Sequence, residues 1–588
     1  MKQKKNPKTL HNPILLVGFS LVLSACTPAY PARVTVMLED GNYSCANKRI
    51  TLDKGSDFTF FLTLPYDYSI FGSSYSSYSL VEEIDLEANK RYETITFFEV
   101  KYDTLITLDI DLAGEVSYSY GDVTYEETIN MTHLRANVSN DFHLFFKPGH
   151  KLCGYLDEGG NLVSLGSRTD IGEDKRIELE PYFLKESNES DFLYEKITED
   201  KIKILSYLGK DKEVVIPESI DGYRVYSIEK GAFSSLSLSR LVLPKDLNSL
   251  KEGAIKDTKI EELVLYDALE EITDASFMGS EVSHIRINAV SNPAYLTTYF
   301  GSYPDKFDRL RANKDKRKIV LYSGSSTRFG FDSSLIDASF QDYEVINMGV
   351  YAYTETLPQI DALLPYMKEG DILIASPEFD TLETQMNADN GIDYAYFAMV
   401  EGDYDILFSL TPSKYDGFFS SLGTFLSNRK NMNRCPYSFS PNLFDEDGNR
   451  ISTSSYNEYG DYCLYRSNNE EKKSFGIRRA YYNKEYFPKS DIDLFNAAYL
   501  PLKKKGVSLY YDYSPRMDIS LSSDSTKESI RELGKYLEEN IDMDFLSSIE
   551  DSLVSPYYFY GTDNHLSSEG AAIRTKKVID SLKKRIEG

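Results

Sequence analysis

An interval of 22 residues governs the middle of this chain. Leu241, Leu263 and Ile285 stand that far apart, as do Leu243, Leu265 and Ile287, and Phe233, Ile255 and Phe277. Each unit holds a short apolar strand, a turn and a second apolar anchor, and one unit alone buries almost nothing. Stacked units align their anchors into one continuous core. Segment 191–299 is therefore expected to form a solenoid of roughly three to four coils.

The flanks follow other periods. Residues 26–190 carry β-branched and aromatic runs ("ARVTVML", "FTFFLTL", "YETITFF", "DTLITLDI") broken by "EDGN", "DKGSD" and "LEANK", which predict β modules. From residue 300 the apolar strands "RKIVLYSG", "YEVINMG", "GDILIASPE" and "GVSLYYDYSP" alternate with helical patterns such as "TKESIRELGKYLEEN". That alternation predicts an open α/β unit with a parallel sheet, its site at the carboxyl ends of the strands. The stretch 385–485 is polar and Tyr-rich and reads as an insertion beside the sheet edge. A chain of 588 residues exceeds what one core serves, so the expected fold is multidomain: β modules, a short solenoid, then an α/β domain.

A formal charge of −27 excludes nucleic acid as a partner, because a phosphate backbone needs a basic surface. The N-terminus is more informative. A basic "MKQKKNPK" precedes the apolar "PILLVGFSLVL", and Leu23-Ser24-Ala25-Cys26 resembles the lipobox of bacterial lipoproteins. The resemblance implies removal of residues 1–25, acylation of Cys26, and tethering to the outer face of the bacterial cytoplasmic membrane. Four cysteines then remain, and pairing within domains gives Cys45–Cys153 and Cys435–Cys463, with four buried thiols as the alternative. Their spacing does not suit a metal, and neither metal nor cofactor is expected.

The repeat segment, with its "VVIPESIDGYRVYSIEKGAFSSL", resembles the BspA-type leucine-rich repeats of bacterial surface proteins. Residues 317–588 resemble the SGNH/GDSL hydrolase family. Its first block, a strand followed by Gly-Asp-Ser, corresponds to Gly324-Ser325-Ser326, with Ser325 in place of Asp and Ser326 as the implied nucleophile. Gly349 in "NMG" corresponds to the second-block oxyanion donor, and "DNHLSSEG" supplies Asp563 and His565 ahead of a final helix capped by Ser567 or Ser568. Ala572, Ile579, Leu582 and Ile586 would share one face of that helix. The third block departs from the family: "SPEFD" has no Asn, leaving Ser376 or a backbone N–H as substitutes.

The resemblance implies acyl transfer in which Ser326 attacks, His565 takes the proton and Asp563 orients the ring. The N–H groups of Ser326 and Gly349 would hold the oxyanion, and Arg328 and Glu378 would line the substrate site. The expected activity is esterase or O-acyltransferase on an extracellular glycan, transfer requiring an acyl donor delivered across the membrane by a partner. The alternative is a catalytically idle surface binding or adhesion protein that works through its repeats.

Overall fold

The computed structural model describes residues 149–587 apart from 158, 168–175, 292–293, 296–298, 353, 379–388, 432–455 and 476–478; before 149 it describes strands only. Those earlier strands run from Arg33–Leu38 to Asn140–Phe146 and pair mostly antiparallel. Cys26, Cys45 and Cys435 lie outside the residues whose side chains are described.

The 22-residue interval becomes a set of parallel ladders. Strand Ser237–Val242 pairs with Lys259–Tyr266, which pairs with Glu281–Asn288, in registers that place Leu241 against Leu263 and Leu263 against Ile285. A second ladder sets Phe233 beside Ile255. Leu241, Leu263 and Ile285 are each 0 % exposed, so the anchors form one stacked core. The turns repeat as well. Ser235, Asp257 and Gly279 occupy equivalent positions and all take left-handed φ, at 58°, 49° and 71°. Holding Ser or Asp there costs roughly 1 kcal/mol each relative to glycine, which stacking across the coils offsets.

Phe277 leaves the pattern. It lies in a 3-10 turn, Asp274–Phe277, and its ring stacks at 3.8 Å on Phe419 of the C-terminal region. The last coil is thus covered rather than capped by solvent. Arg286 joins Glu262 at 2.7 Å and Asp405 at 3.1 Å, and Arg429 reaches Asp267 at 2.8 Å and Glu401 at 2.5 Å. One apolar cluster runs from Phe192 through the coils to Ile549. Helices Tyr394–Val400 and Phe418–Asn431 supply much of this contact, with Phe397, Leu422 and Phe425 fully buried. The first half of the expected polar insertion is therefore an apolar wedge between solenoid and sheet.

The outer face of the repeat sheet is covered from the N-terminal side. Strand His150–Asp157 brings Cys153 against Val215, Val242, Val264 and Tyr266, and Lys151 Nζ donates to Ile216 O at 2.6 Å and meets Glu218 at 2.7 Å. Cys45, the expected partner of Cys153, lies outside the residues whose side chains are described, and Cys153 is a free thiol, 2 % exposed. Its place among core aliphatics pushes its pKa up to about 12, so it behaves as a small apolar side chain. Cys463 is partly exposed, and its expected partner Cys435 lies outside the described residues.

The C-terminal sheet is five-stranded and parallel. Its spatial order is Glu344–Asn347, Lys318–Tyr322, Ile372–Ala375, Ser508–Tyr511, Asp544–Phe545. In chain order this is 2-1-3-4-5, and the order reverses between Lys318–Tyr322 and Ile372–Ala375. A crevice opens at such a switch point, at the carboxyl ends of those two strands. The final helix, Ser568–Glu587, buries Ala571, Thr575, Val578 and Leu582. Ile586, expected on that face, is 42 % exposed.

Candidate active site

The chain leaves strand Lys318–Tyr322 and turns at Gly324 into a short helix, Ser325–Gly330. Two glycines allow the loops here to touch. A Cβ on Gly324 would stand 2.5 Å from Ala352 Cα, and one on Gly349 would stand 2.6 Å from Arg328 N and 2.7 Å from Gly324 O. Gly349 thus serves close packing. Its N–H, expected to serve the oxyanion, donates to Asn347 Oδ1 at 2.9 Å.

The helix start decides which hydroxyl is presented. Ser325 is partly exposed, and its Oγ lies 2.7 Å from His565 Nε2. Ser326, about 100° further round the helix, turns inward. It is 0 % exposed, its Oγ is buried without a hydrogen-bond partner, and its N–H donates to Glu378 Oε1 at 2.6 Å. The imidazole therefore meets Ser325 and not the expected Ser326, and the Ser326 N–H is committed elsewhere. Some 240 positions separate the two partners in the chain.

Glu378 does not line an open pocket. It is 3 % exposed and bridges the serine turn to the histidine loop, its second oxygen accepting from Asn564 Nδ2 at 2.7 Å. Arg328 is likewise buried, at 0 % exposure, with Nη1 donating to Ser302 Oγ at 3.1 Å. Neither can reach a substrate from there. Ser376 is buried and accepts from Arg574 at 3.1 Å.

The histidine loop is an ordered turn. Thr562 Oγ1 accepts from the His565 N–H at 3.1 Å. The Asp563 carboxylate accepts from Ser474 Oγ, Phe475 N and Ser520 Oγ, each at 2.6 Å. It secures segment 474–475 instead of orienting the ring, a correction to its expected role. The helix that follows is capped as expected, with Ser567 Oγ accepting from Gly570 N at 3.1 Å.

An aromatic face holds the imidazole. Phe329, one helical turn after Ser325, lies flat on it at 4.1 Å between ring centres and 3° between planes, and Tyr462 stacks on Phe329 at 4.4 Å. Arg466 is 4 % exposed; it donates to the carbonyls of Leu566 at 2.9 Å, Tyr462 at 2.7 Å and Phe329 at 3.1 Å. Loss of water around the ring, then the Arg466 and Arg328 cations, push the His565 pKa down from 6.5 to about 3. At neutral pH the ring is uncharged, and so depressed a pKa makes it a weak acceptor for the Ser325 proton. Sequence reasoning missed Ser325, Phe329, Asn564 and Arg466. The i, i+4 spacing of Ser325 and Phe329 was the signal for two of them.

A cavity of about 260 Å³ opens between helix Ser568–Glu587 and segment 546–558, with Leu566 and Arg574 in its wall. Neither Ser325 nor His565 lines it. Among the described residues no group of His, Cys, Asp and Glu is arranged to hold a metal ion, and no helix is long and apolar enough to cross a membrane.

The family described as BspA type leucine rich repeat region matches residues 207–300, in six copies. Repeats of this type suggest surface binding or adhesion. No curated protein matches the chain. Among solved structures, protein YXIM_BACsu from Bacillus subtilis is similar over 46 % of this chain and 57 % of its own, at 11 % identity and a TM-score of 0.21. The matched region spans little more than half of that protein, and so low a score carries no argument about fold or activity.

Proposed function

We propose that this chain is a lipid-anchored surface protein whose Ser325–His565 pair performs acyl transfer on ester groups, those of an extracellular glycan being the substrate class. One observation carries this reading: a partly exposed serine hydroxyl 2.7 Å from a neutral imidazole at the switch point of a parallel sheet. In the step proposed, His565 Nε2 takes the Ser325 proton as Oγ bonds to the carbonyl carbon, and returns it to the departing alkoxide. Water or a second hydroxyl then releases the acyl group, giving hydrolysis or transfer.

The pair works without its expected carboxylate and without either expected oxyanion N–H. One missing donor costs about 3 kcal/mol in comparable sites, so the reaction is slow. These same features favour a second reading, an idle surface protein that binds through its repeats. The broad repeat sheet is covered by the strand around Cys153 and by segment 404–414, which leaves binding to the opposite side of the solenoid.

The test is fluorophosphonate labelling and p-nitrophenyl acetate hydrolysis by the full chain. Ser325→Ala is expected to abolish labelling and lower turnover by at least ~10³-fold, as loss of a nucleophile does. Ser326→Ala is expected to keep both. Equal rates from wild type and Ser325→Ala reject the enzyme and leave the binding reading.

A further inference from the structure

We propose that Arg466 is a positioning residue for the serine–histidine pair: it clamps the two loops together through backbone carbonyls, and its charge, with no carboxylate bonded to it, disfavours the imidazolium and restrains the ring as a base. This rests on the acyl-transfer reading for its purpose, though not for its geometry.

The three carbonyls that Arg466 binds belong to different parts of the site. Phe329 O ends the serine helix, Leu566 O follows the histidine, and Tyr462 O belongs to the segment that brings the arginine in. One planar guanidinium, with its rigid fork of donors, thus fixes the distance between the two loops that supply Ser325 and His565. The backbone adds to this: Arg466 N donates to Ser568 Oγ at 3.0 Å, and Ser568 N donates back to Arg466 O at 3.0 Å. The clamp also keeps Phe329 over the ring, since Arg466 holds the carbonyl of that same residue. Its guanidinium lies 5.7 Å from the Phe329 ring centre and 5.5 Å from that of Tyr462.

Charge is the second half of the inference. Among the described residues no carboxylate forms an ion pair with Arg466; Asp461 and Asp332 act on it only from a distance. The cations that act on the imidazole are Arg466 and Arg328, and the Tyr462 ring stands behind Phe329; the Glu378 carboxylate is held by Ser326 N and Asn564, and that of Asp563 by Ser474, Phe475 and Ser520. Both carboxylates are occupied by backbone and side-chain donors. Burial of the ring, then the two cations, disfavour its protonation.

The experiment is an NMR titration of the full chain carrying ring-13C histidine, with the His565 signal assigned by its loss in His565→Gln. The wild-type signal is expected to stay in the neutral form down to pH 4.5 or below. Arg466→Gln is expected to raise its midpoint by at least one pH unit, and Arg466→Lys, which keeps the charge but not the fork, by less than half a unit. Arg466→Met replaces the Gln variant should that chain fail to fold. An unchanged midpoint without the charge, or equal rises in the Lys and Gln variants, overturns the proposal. Fluorophosphonate labelling is read on the same samples. Wild-type protein that never labels defeats the acyl-transfer reading while the titration still decides the role of Arg466.

Discussion

Two buried arginines define two regions of this molecule, and they are held in opposite ways. At the junction of solenoid and sheet, Arg429 sits between Asp267 and Glu401 and its charge is cancelled on the spot. At the sheet's switch point, Arg466 is held among the described residues by carbonyl oxygens, and its charge adds to burial in disfavouring the imidazolium. The first arrangement is a strut, the second a source of field. A chain that joined domains and did nothing else would need only the first kind. Buried charge left without a counter-ion is costly, and it persists where it changes the behaviour of a neighbour.

The strut gives the largest expected effect. Arg429→Met leaves two carboxylates buried without their cation, which costs about 3–5 kcal/mol. Urea unfolding of the variant should show it, with the repeats and the α/β unit losing structure together because they share one core. Separate transitions, or a cost below about 1 kcal/mol, would erase the distinction between the two arginines.

Asp563→Asn is expected to be intermediate. The amide cannot accept from Ser474, Phe475 and Ser520 as the carboxylate does, and the lost bonds cost about 1–3 kcal/mol of stability. Labelling of Ser325 should change by less than ~3-fold, since the carboxylate does not orient the ring. A loss on the scale of the ~10⁴-fold drop seen when a triad aspartate is removed would restore Asp563 to a catalytic role.

The effect that is smallest at neutral pH, and grows only as pH falls, lies in the pH dependence of stability. The folded-state pKa of His565 is depressed to about 3 from 6.5. Between those values the unfolded chain binds a proton that the folded chain does not, so stability is lost as pH falls through that window. His565→Gln should flatten the slope of unfolding free energy against pH from 6.5 to 3. An unaltered slope would mean that neither burial nor the Arg466 and Arg328 charges depress the pKa of the ring.

The same comparison explains what could be read from residues alone. The repeat is local and periodic, so Leu241, Leu263 and Ile285 announced their stacking, and the turns at Ser235, Asp257 and Gly279 kept the same spacing. The four longer strands of the sheet were visible as apolar runs, whereas the two-residue strand Asp544–Phe545 is too short to show a period. His565 stood out because the last domain has no other imidazole. Its partner was misassigned by one position. A template fixes the offset of a serine from a glycine, but the angle at which the helix begins fixes which hydroxyl faces out, at a turn where a Cβ on Gly324 would meet Ala352 and one on Gly349 would meet Gly324 O. Arg328 and Glu378 looked like substrate contacts, and became internal supports once the loops closed over them. Arg466 carried no local signal, since its three acceptors come from three separate stretches of chain.

Cys153 gives the molecule a built-in clock. Its thiol is shut between the N-terminal strand and the repeat sheet and is hard to ionise, so an alkylating reagent can capture it only when those layers part. The rate of carbamidomethylation at that one sulfur, read by peptide mass, counts how often the N-terminal covering lifts from the repeats while the rest of the chain stays folded.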